Sequence, residues 1–177
     1  MTSGEGGMIA CGTEEVFKRS RLLRNQGMEV KYRNEIVGFN FRMSEVHAAI
    51  GLIQLQRIEK WTQKRIENAN FFLKNIKNVI LPKVEIGYKH VFHQFTIRVE
   101  ERDRDSLVSE LRKQGVETGI FYPSPVHKLD SFGLNVDLPN TDIACRSVFS
   151  IPVHPRLKKW ELDKIAKTVN KVASAGT

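Results

Sequence analysis

The chain has 177 residues, of which 41% are hydrophobic and 27% are charged, so it can bury a core and is not of the disordered class. No stretch approaches the 18 consecutive apolar residues typical of a membrane-spanning helix, and the N-terminal residues lack the basic and apolar regions of a signal peptide. The formal net charge of +8 favours contact with polyanions only weakly, because the excess of Lys and Arg is spread over both halves.

The two cysteines, Cys11 and Cys145, lie far apart and without metal-ligand spacing. We expect both to be small buried thiols in a reduced, cytoplasmic protein. Five histidines are present, but no two have the helical spacing of metal ligands, so we expect no metal site.

The first residues predict a turn, a strand and a helix. The run GEGG lacks the lysine of a phosphate-binding loop, so its spacing favours a tight turn with positive φ. Residues 8–11 are apolar and lie between Gly7 and Gly12, which is typical of a short buried strand. Thr13 is a plausible N-cap for a helix that ends near Gly27.

That helix carries the densest basic cluster of the chain. The cluster is typical of a solvated helix face, because no aromatic residues are interleaved with it as in a nucleic-acid surface. It consists of Lys18, Arg19, Arg21 and Arg24.

A long loop and a long helix follow. Residues 28–42 have no sustained period and predict a loop of unusual length. Ser44 is a plausible N-cap for one helix over residues 45–75, with room for a bend, since Val46, Ile50 and Ile53 form an apolar stripe. Pro82 closes this segment.

The remaining residues predict a small α+β arrangement of about three strands with helices on one face. The alternation of HVFHQFTIRVE places Val91, His93, Phe95, Ile97 and Val99 on one face of a strand. Two more strands are predicted at residues 116–122 and 148–151, and helices at residues 105–114, near 140–147, and at the C-terminal end. On spacing alone, His93 is a histidine buried in the core rather than a ligand.

Several stretches in this order resemble the DegT/DnrJ/EryC1/StrS group of pyridoxal-phosphate-dependent sugar aminotransferases, which have fold type I. They are TSGEGGMI, RLLRNQG, GFNFRMSEVHAAIGLIQLQRIEKW, HVFHQFTIRV, GIFYPSPVH and SIPVHPRLKKWELDKIAKTV. The combination of GEGG with GFN-x-RMSE is specific, and the resemblance covers essentially the whole chain.

The resemblance implies a two-stage transamination, in which glutamate gives its amino group to pyridoxal phosphate and then to the keto carbon of a nucleotide-linked sugar. In this family the Schiff-base lysine precedes the GEGG motif in the pattern K-N-x-T-x-GEGG, and here it would fall two residues before Met1. The chain therefore resembles the C-terminal half of such an enzyme. We expect this chain to contain no catalytic residue and to have no transaminase activity when it is isolated. Whether the chain is part of an active enzyme stays open.

The resemblance also implies binding residues. Asn40 is expected at the cofactor phosphate of a neighbouring subunit, and Arg42 is expected to bind a phosphate or the substrate carboxylate. The substrate is expected at Ser3, Glu5, His93 and Tyr122. His127 is a weaker candidate.

The domain organisation implied is a remnant of the large cofactor domain with an intersubunit loop over residues 1–42, a connecting helix over 43–80, and a small α+β domain over 81–177. The resemblance further implies a homodimer, a nucleotide-sugar substrate and a role in polysaccharide biosynthesis. The lack of a long apolar run predicts no membrane partner, and the lack of aromatic residues among the basic ones argues against a nucleic-acid partner.

Two other functions stay open at this point. One is a non-catalytic regulatory or interaction module derived from the family, acting through the basic helix. The other is a split enzyme whose lysine is supplied by a second chain.

Overall fold

The computed structural model describes residues 1–100 and 102–175 and divides into two compact units, Met1–Glu59 and Lys60–Thr177. The boundary lies inside the segment that the sequence predicts as one connecting helix. Each unit is described by itself below.

The first unit contains two helices, α1 (Glu14–Arg24) and α2 (Glu45–Leu55). Both begin at the predicted caps. Thr13 Oγ1 accepts a hydrogen bond from the Val16 amide, and Ser44 Oγ accepts one from the His47 amide. These side chains satisfy amide groups that have no partner within the first helical turn, so the local sequence fixes where each helix starts.

The predicted strand at residues 8–11 is wrong. These residues form no strand, and the Met8 and Ile9 side chains are 92% and 73% exposed. A strand needs a neighbour to pair its backbone groups, and none of the described segments forms a bridge or a strand pair with residues 8–11. The apolar pattern alone therefore does not produce a buried strand here.

The single long helix predicted over residues 45–75 is two helices, α2 and α3 (Ile58–Asn75). At the break, the Gln56 amide donates to the Leu52 carbonyl, but the Arg57 amide donates to the carbonyl of Gln54, three residues back. This tightening of the backbone ladder ends α2. No residue of α2 is buried, so its predicted apolar stripe faces outward in this unit.

The second unit contains α3 and five further elements. They are β1 (Phe95–Arg98), α4 (Arg104–Lys113), α5 (Pro139–Ser147), β2 (Val148–Ile151) and α6 (Lys159–Ser174). A 3-10 turn, Val126–Lys128, lies between α4 and α5.

The sheet is smaller than predicted. β1 and β2 pair antiparallel, with Phe95 opposite Ile151 and Arg98 opposite Val148. On the outer side of β2, Gly119 forms a single bridge with Ser150, which is all that remains of the strand predicted over residues 116–122. The side chain of Phe121 fills the space that a Cβ on Gly119 would occupy, so the chain curls back instead of extending the pairing.

The strand expected from HVFHQFTIRVE is also shorter, because the backbone of Phe92 is left-handed with φ of 46°. This conformation breaks the two-residue alternation just before β1. Phe92 is therefore buried, whereas Val91 and His93, which the alternation placed with Phe95, are exposed.

The core of the second unit lies between the sheet and its helices. Phe95 and Ile97 of β1 are fully buried, whereas Thr96 and Arg98 on the opposite face are partly exposed, so the helices cover one face as predicted. The ring of Phe72 on α3 meets that of Phe95 edge-on, with centroids 5.4 Å apart. The other large buried side chains are Leu107 and Leu111 of α4, Phe149 of β2 and Val169 of α6.

Cys11 and Cys145 are free thiols and are half-buried rather than fully buried. Within the described residues, no helix has both the length and the apolar character needed to cross a bilayer.

Candidate functional site

The GEGG motif forms a turn that packs against α2 in the first unit. Gly4 and Gly6 have φ of 84° and 137°, as the glycine spacing predicts. A Cβ on Gly4 would lie 2.9 Å from His47 Nε2, and a Cβ on Gly6 would lie 3.0 Å from the Met43 side chain. Both the conformation and the close packing therefore require glycine.

Ser3 and Glu5 occupy this turn. The Ser3 Cβ lies 3.5 Å from the position of a Cβ on Gly51, so Ser3 faces the middle of α2. The amide of the preceding residue, Thr2, donates to Gln54 Oε1 one turn further along the helix. Glu5 is exposed. The turn thus presents one half-buried hydroxyl and one exposed carboxylate beside α2.

The loop over residues 28–42 folds back on the end of α1 through a close crossing of two glycines. A Cβ on Gly38 would lie 2.2 Å from the Gly27 amide nitrogen, and a Cβ on Gly27 would lie 1.7 Å from the Ile36 carbonyl oxygen. No side chain fits at either position. The Glu35 amide donates to the Gly27 carbonyl and closes the loop beside the crossing.

Immediately after the crossing, the backbone is held to the last turn of α1. The Phe39 amide donates to the Leu23 carbonyl, and the Phe41 amide donates to the Arg24 carbonyl. The rings of Phe39 and Phe41 stack with centroids 5.0 Å apart and an interplanar angle of 10°. Asn40 therefore lies on a segment that is fixed on both sides.

Asn40 and Arg42 form an exposed pair of hydrogen-bond donors. Arg42 Nε donates to Asn40 Oδ1 over 2.8 Å, which uses one of the two lone pairs of this oxygen and orients the amide. The Asn40 Nδ2 group and the terminal nitrogens of Arg42 keep their N–H donors. A surface that offers the N–H donors of an amide and of a guanidinium suits an anion with several oxygens, such as a phosphate.

His93 and Tyr122 belong to the second unit, and both are exposed. His93 lines an open depression of 460 Å³ with Lys89, His90, Val91, Gln94 and Thr96. Tyr122 is 69% exposed, and its ring meets that of Phe121 edge-on with centroids 5.9 Å apart. No hydrogen bond or ring contact joins His93 to Tyr122 in the part of the chain that the structure describes.

The alternation of the strand predicts that His93 is buried in the core. This prediction is wrong, because His93 is exposed. The Arg65 side chain on α3 donates from Nη1 to the His93 carbonyl over 3.2 Å and to the Phe92 carbonyl over 3.5 Å. The Phe92 amide donates to His90 Nδ1 over 2.9 Å. Hydrogen bonds to this turn therefore direct the His93 ring outward.

His127, the weaker candidate, is buried in the 3-10 turn, with its Nε2 atom 4.0 Å from Asp142 Oδ1 on α5. Lys128 Nζ lies 2.8 Å from the other carboxylate oxygen, and this hydrogen bond holds the pKa of Asp142 below its usual range. The group ties the 3-10 turn to α5, and this geometry suits a structural role.

Three residues that support the candidate binding residues were not predicted from the sequence. Met43 packs on the GEGG turn and follows Arg42 directly, so it links the two parts of the first unit's site. His47 and Arg65 position the turns that carry Ser3 and His93, although their spacing in the sequence indicates no such role. The binding roles assigned to Ser3, Glu5, Asn40, Arg42, His93 and Tyr122 stay predictions.

Solved structures define the class of protein to which this fold belongs. The S. venezuelae protein DesV, determined in complex with a ketimine intermediate, superimposes with a TM-score of 0.86 and is 31% identical, over 92% of this chain and 45% of DesV. The aminotransferase TlmJ from Streptoalloteichus hindustanus shares the fold with a TM-score of 0.89 at 24% identity. The chain thus has the fold of the C-terminal part of a fold-type-I sugar aminotransferase.

Residues 1–170 match the model of the DegT/DnrJ/EryC1/StrS aminotransferase family, and the chain belongs to this family. A dTDP-3-amino-3,6-dideoxy-alpha-D-galactopyranose transaminase from Aneurinibacillus thermoaerophilus is 34% identical over 94% of the chain. A pleiotropic regulatory protein from Geobacillus stearothermophilus is 32% identical over 93%. The chain spans about half the length of these relatives, 46% and 47% respectively.

The glycine crossing yields a direct test. The substitution Gly38→Ala places a methyl group against the Gly27 backbone, so we expect the loop to shift, the Arg42–Asn40 hydrogen bond to be lost, and the first unit to lose about 1–3 kcal/mol of unfolding free energy. The Arg42 Nε resonance in nitrogen-15 NMR reports the bond, and thermal unfolding reports the stability.

Gly7→Ala is the matched control, because no atom lies within 4 Å of a Cβ at Gly7 and its φ is not positive. We expect neither measurement to change. Equal effects of the two substitutions would show that the crossing does not hold Asn40 in place.

Proposed function

We propose that this chain is the C-terminal portion of a pyridoxal-phosphate-dependent aminotransferase that acts on nucleotide-linked keto sugars, with glutamate as the amino donor. The family membership and the relatives named as nucleotide-sugar transaminases support this proposal. We place the enzyme in the cytoplasm, in keeping with two free thiols, and in the biosynthesis of sugar components of polysaccharides.

The observation that carries the proposal is the donor pair of Asn40 and Arg42. The amide and guanidinium groups fit a phosphate ester, since both offer N–H donors, Arg42 is positively charged, and the bond from Arg42 Nε to Asn40 Oδ1 holds the two side chains together. The glycine crossing and the last turn of α1 hold this pair in place. In the proposed enzyme the pair binds the phosphate of the cofactor, which when bound supplies the electron sink for amino transfer.

The four proposed substrate residues divide between the units. Ser3 and Glu5 lie on the GEGG turn beside α2, and His93 and Tyr122 are exposed on the second unit. A hydroxyl, a carboxylate, an imidazole and a phenol offer both donors and acceptors, which is the set that sugar hydroxyl groups require. We propose a substrate-binding role for each pair within its own unit.

No lysine of this chain occupies the position that the family pattern K-N-x-T-x-GEGG assigns to the cofactor. We therefore expect the isolated chain to transfer no amino group from glutamate to a nucleotide-linked keto sugar. Joined to an amino-terminal portion like that of its relatives, or mixed with it, the chain is expected to do so. Release of 2-oxoglutarate measures the reaction, and a borohydride-reducible lysine adduct on the isolated chain would contradict the proposal.

The phosphate site is testable on the chain itself. Pyridoxamine 5′-phosphate carries the phosphate but no aldehyde, so it forms no imine with surface lysines. We expect it to shift the side-chain nitrogen-15 resonances of Asn40 and Arg42, and Asn40→Asp to weaken this binding by about tenfold or more, because a carboxylate replaces the donor.

Asn135→Asp is the matched control, since Asn135 is exposed in the second unit. Its affinity for pyridoxamine 5′-phosphate should equal that of the wild-type chain. Pyridoxamine without phosphate should leave the resonances of Asn40 and Arg42 in place. Equal responses to both compounds would contradict a phosphate site.

We propose that the functional enzyme is a homodimer and that a second copy covers apolar surface of the first unit. Supporting this, α2 carries five large apolar side chains that are all exposed and none that is buried. They are Val46, Ile50, Leu52, Ile53 and Leu55.

Sedimentation of the chain at increasing concentration is expected to show self-association. Leu52→Glu places a charge on the apolar face of α2 and is expected to shift the chain toward monomer. Ile86→Glu, at a fully exposed position of the second unit, is the control and should change nothing. A monodisperse wild-type monomer at high concentration would contradict this proposal.

A second candidate function has one observation in its favour, the match to a relative named as a pleiotropic regulatory protein. The basic face of α1 is the surface available to such a module. Binding of the chain to nucleic acid that weakens steeply with salt would favour regulation over catalysis.

A further inference from the structure

The turn that carries His93 contains an unusual acceptor. The ring nitrogen Nδ1 of His90 accepts a hydrogen bond from the Phe92 amide, two residues further along the chain, over 2.9 Å. The same geometry is made by Asn and Asp side chains in Asx turns, where a side-chain oxygen takes the place of Nδ1. In the neutral ring, an accepting Nδ1 requires the proton on Nε2.

Phe92, whose amide makes this hydrogen bond, has an unfavourable backbone conformation. Phe92 has φ of 46°, in the left-handed region that residues with a large side chain seldom adopt. Its ring is buried, with its centroid 4.2 Å from that of His90 and 5.9 Å from that of Phe95. The conformation therefore depends on burial of the ring and on hydrogen bonds made to the backbone.

Those hydrogen bonds come from two side chains. His90 accepts from the Phe92 amide, and Arg65 on α3 donates to the carbonyls of Phe92 and His93. Among the described residues, the charged and titratable groups found at this turn are Lys89 and His93, which line the same depression as His90, and Arg65, which reaches the turn from α3. β1 contacts the turn through the uncharged ring of Phe95.

We propose that His90 is a positioning residue, whose neutral ring holds the turn that directs His93 outward and whose protonation releases that turn. An imidazolium ring is a donor at both nitrogens, so it cannot accept the Phe92 amide. Acidification therefore removes one hydrogen bond from a left-handed residue. This inference rests on the proposed function only in that His93 then contacts the sugar nucleotide.

The protection of the Phe92 amide against hydrogen exchange, measured by NMR on the whole chain, tests the proposal. The protection factor corrects for the intrinsic dependence of exchange on pH. We expect protection in the wild type to fall by about three- to tenfold as the His90 ring resonances titrate, in line with the loss of one hydrogen bond. Protection that stays constant through this titration would overturn the proposal.

Two substitutions distinguish the role of the His90 hydrogen-bond acceptor from the role of its aromatic ring. His90→Asn supplies an oxygen acceptor at the same place, so protection should persist at every pH. His90→Phe keeps an aromatic ring against Phe92 but removes the acceptor, so protection should be low at every pH. Equal protection in the wild type and in His90→Phe at neutral pH would also overturn the proposal.

A third variant shows which of the two histidines causes the fall in Phe92 protection. His93→Gln removes the other histidine of the depression, and the fall in Phe92 protection should remain; its disappearance would transfer the effect to His93 and overturn the role of His90. The proposed function is read separately, from the shift of the His93 ring on adding a dTDP-linked sugar. Absence of that shift counts against the substrate role of His93, whereas the exchange of Phe92 alone decides the role of His90.

Discussion

The left-handed backbone of Phe92 is the constraint on which the exposed face of the second unit depends. It lets the aromatic ring enter the core beside Phe95 while the next residue, His93, faces out. Without it, the alternation of the strand would carry His93 into the core among the apolar side chains. The conformation is unfavourable for a bulky residue by about 1–2 kcal/mol, which burial of the ring and the hydrogen bonds of His90 and Arg65 offset.

In the first unit, a close contact between two glycines fixes the direction of the exposed polar side chains. Gly27 and Gly38 approach so closely that neither position admits a side chain, and this contact fixes a loop that otherwise has few buried residues. Asn40 and Arg42 follow the crossing within four residues and are held by the last turn of α1. In both units, backbone packing at one or two residues sets the direction of the polar side chains.

Among the described residues, the exposed large apolar side chains divide equally between the two units, fifteen in each, although the first unit has only half as many residues as the second. α2 buries no residue, and Met8 and Ile9 are largely exposed. The second unit, in contrast, has a continuous core drawn from α3, both strands, α4 and α6. The second unit therefore has the core of a small domain, whereas the first unit carries the higher density of exposed apolar side chains.

The sequence by itself determined the helix starts, the GEGG turn and the family, because caps, glycines and motif spacing act over a few residues. Thr13 and Ser44 mark the starts of α1 and α2 where local hydrogen bonding requires a side-chain acceptor. Only the tertiary structure decided which apolar runs are buried. Residues 8–11 have no strand beside them, Phe92 reverses the faces before β1, and Gly119 makes a single bridge. Each of these outcomes depends on segments distant in the chain, whose pairing a local pattern does not contain.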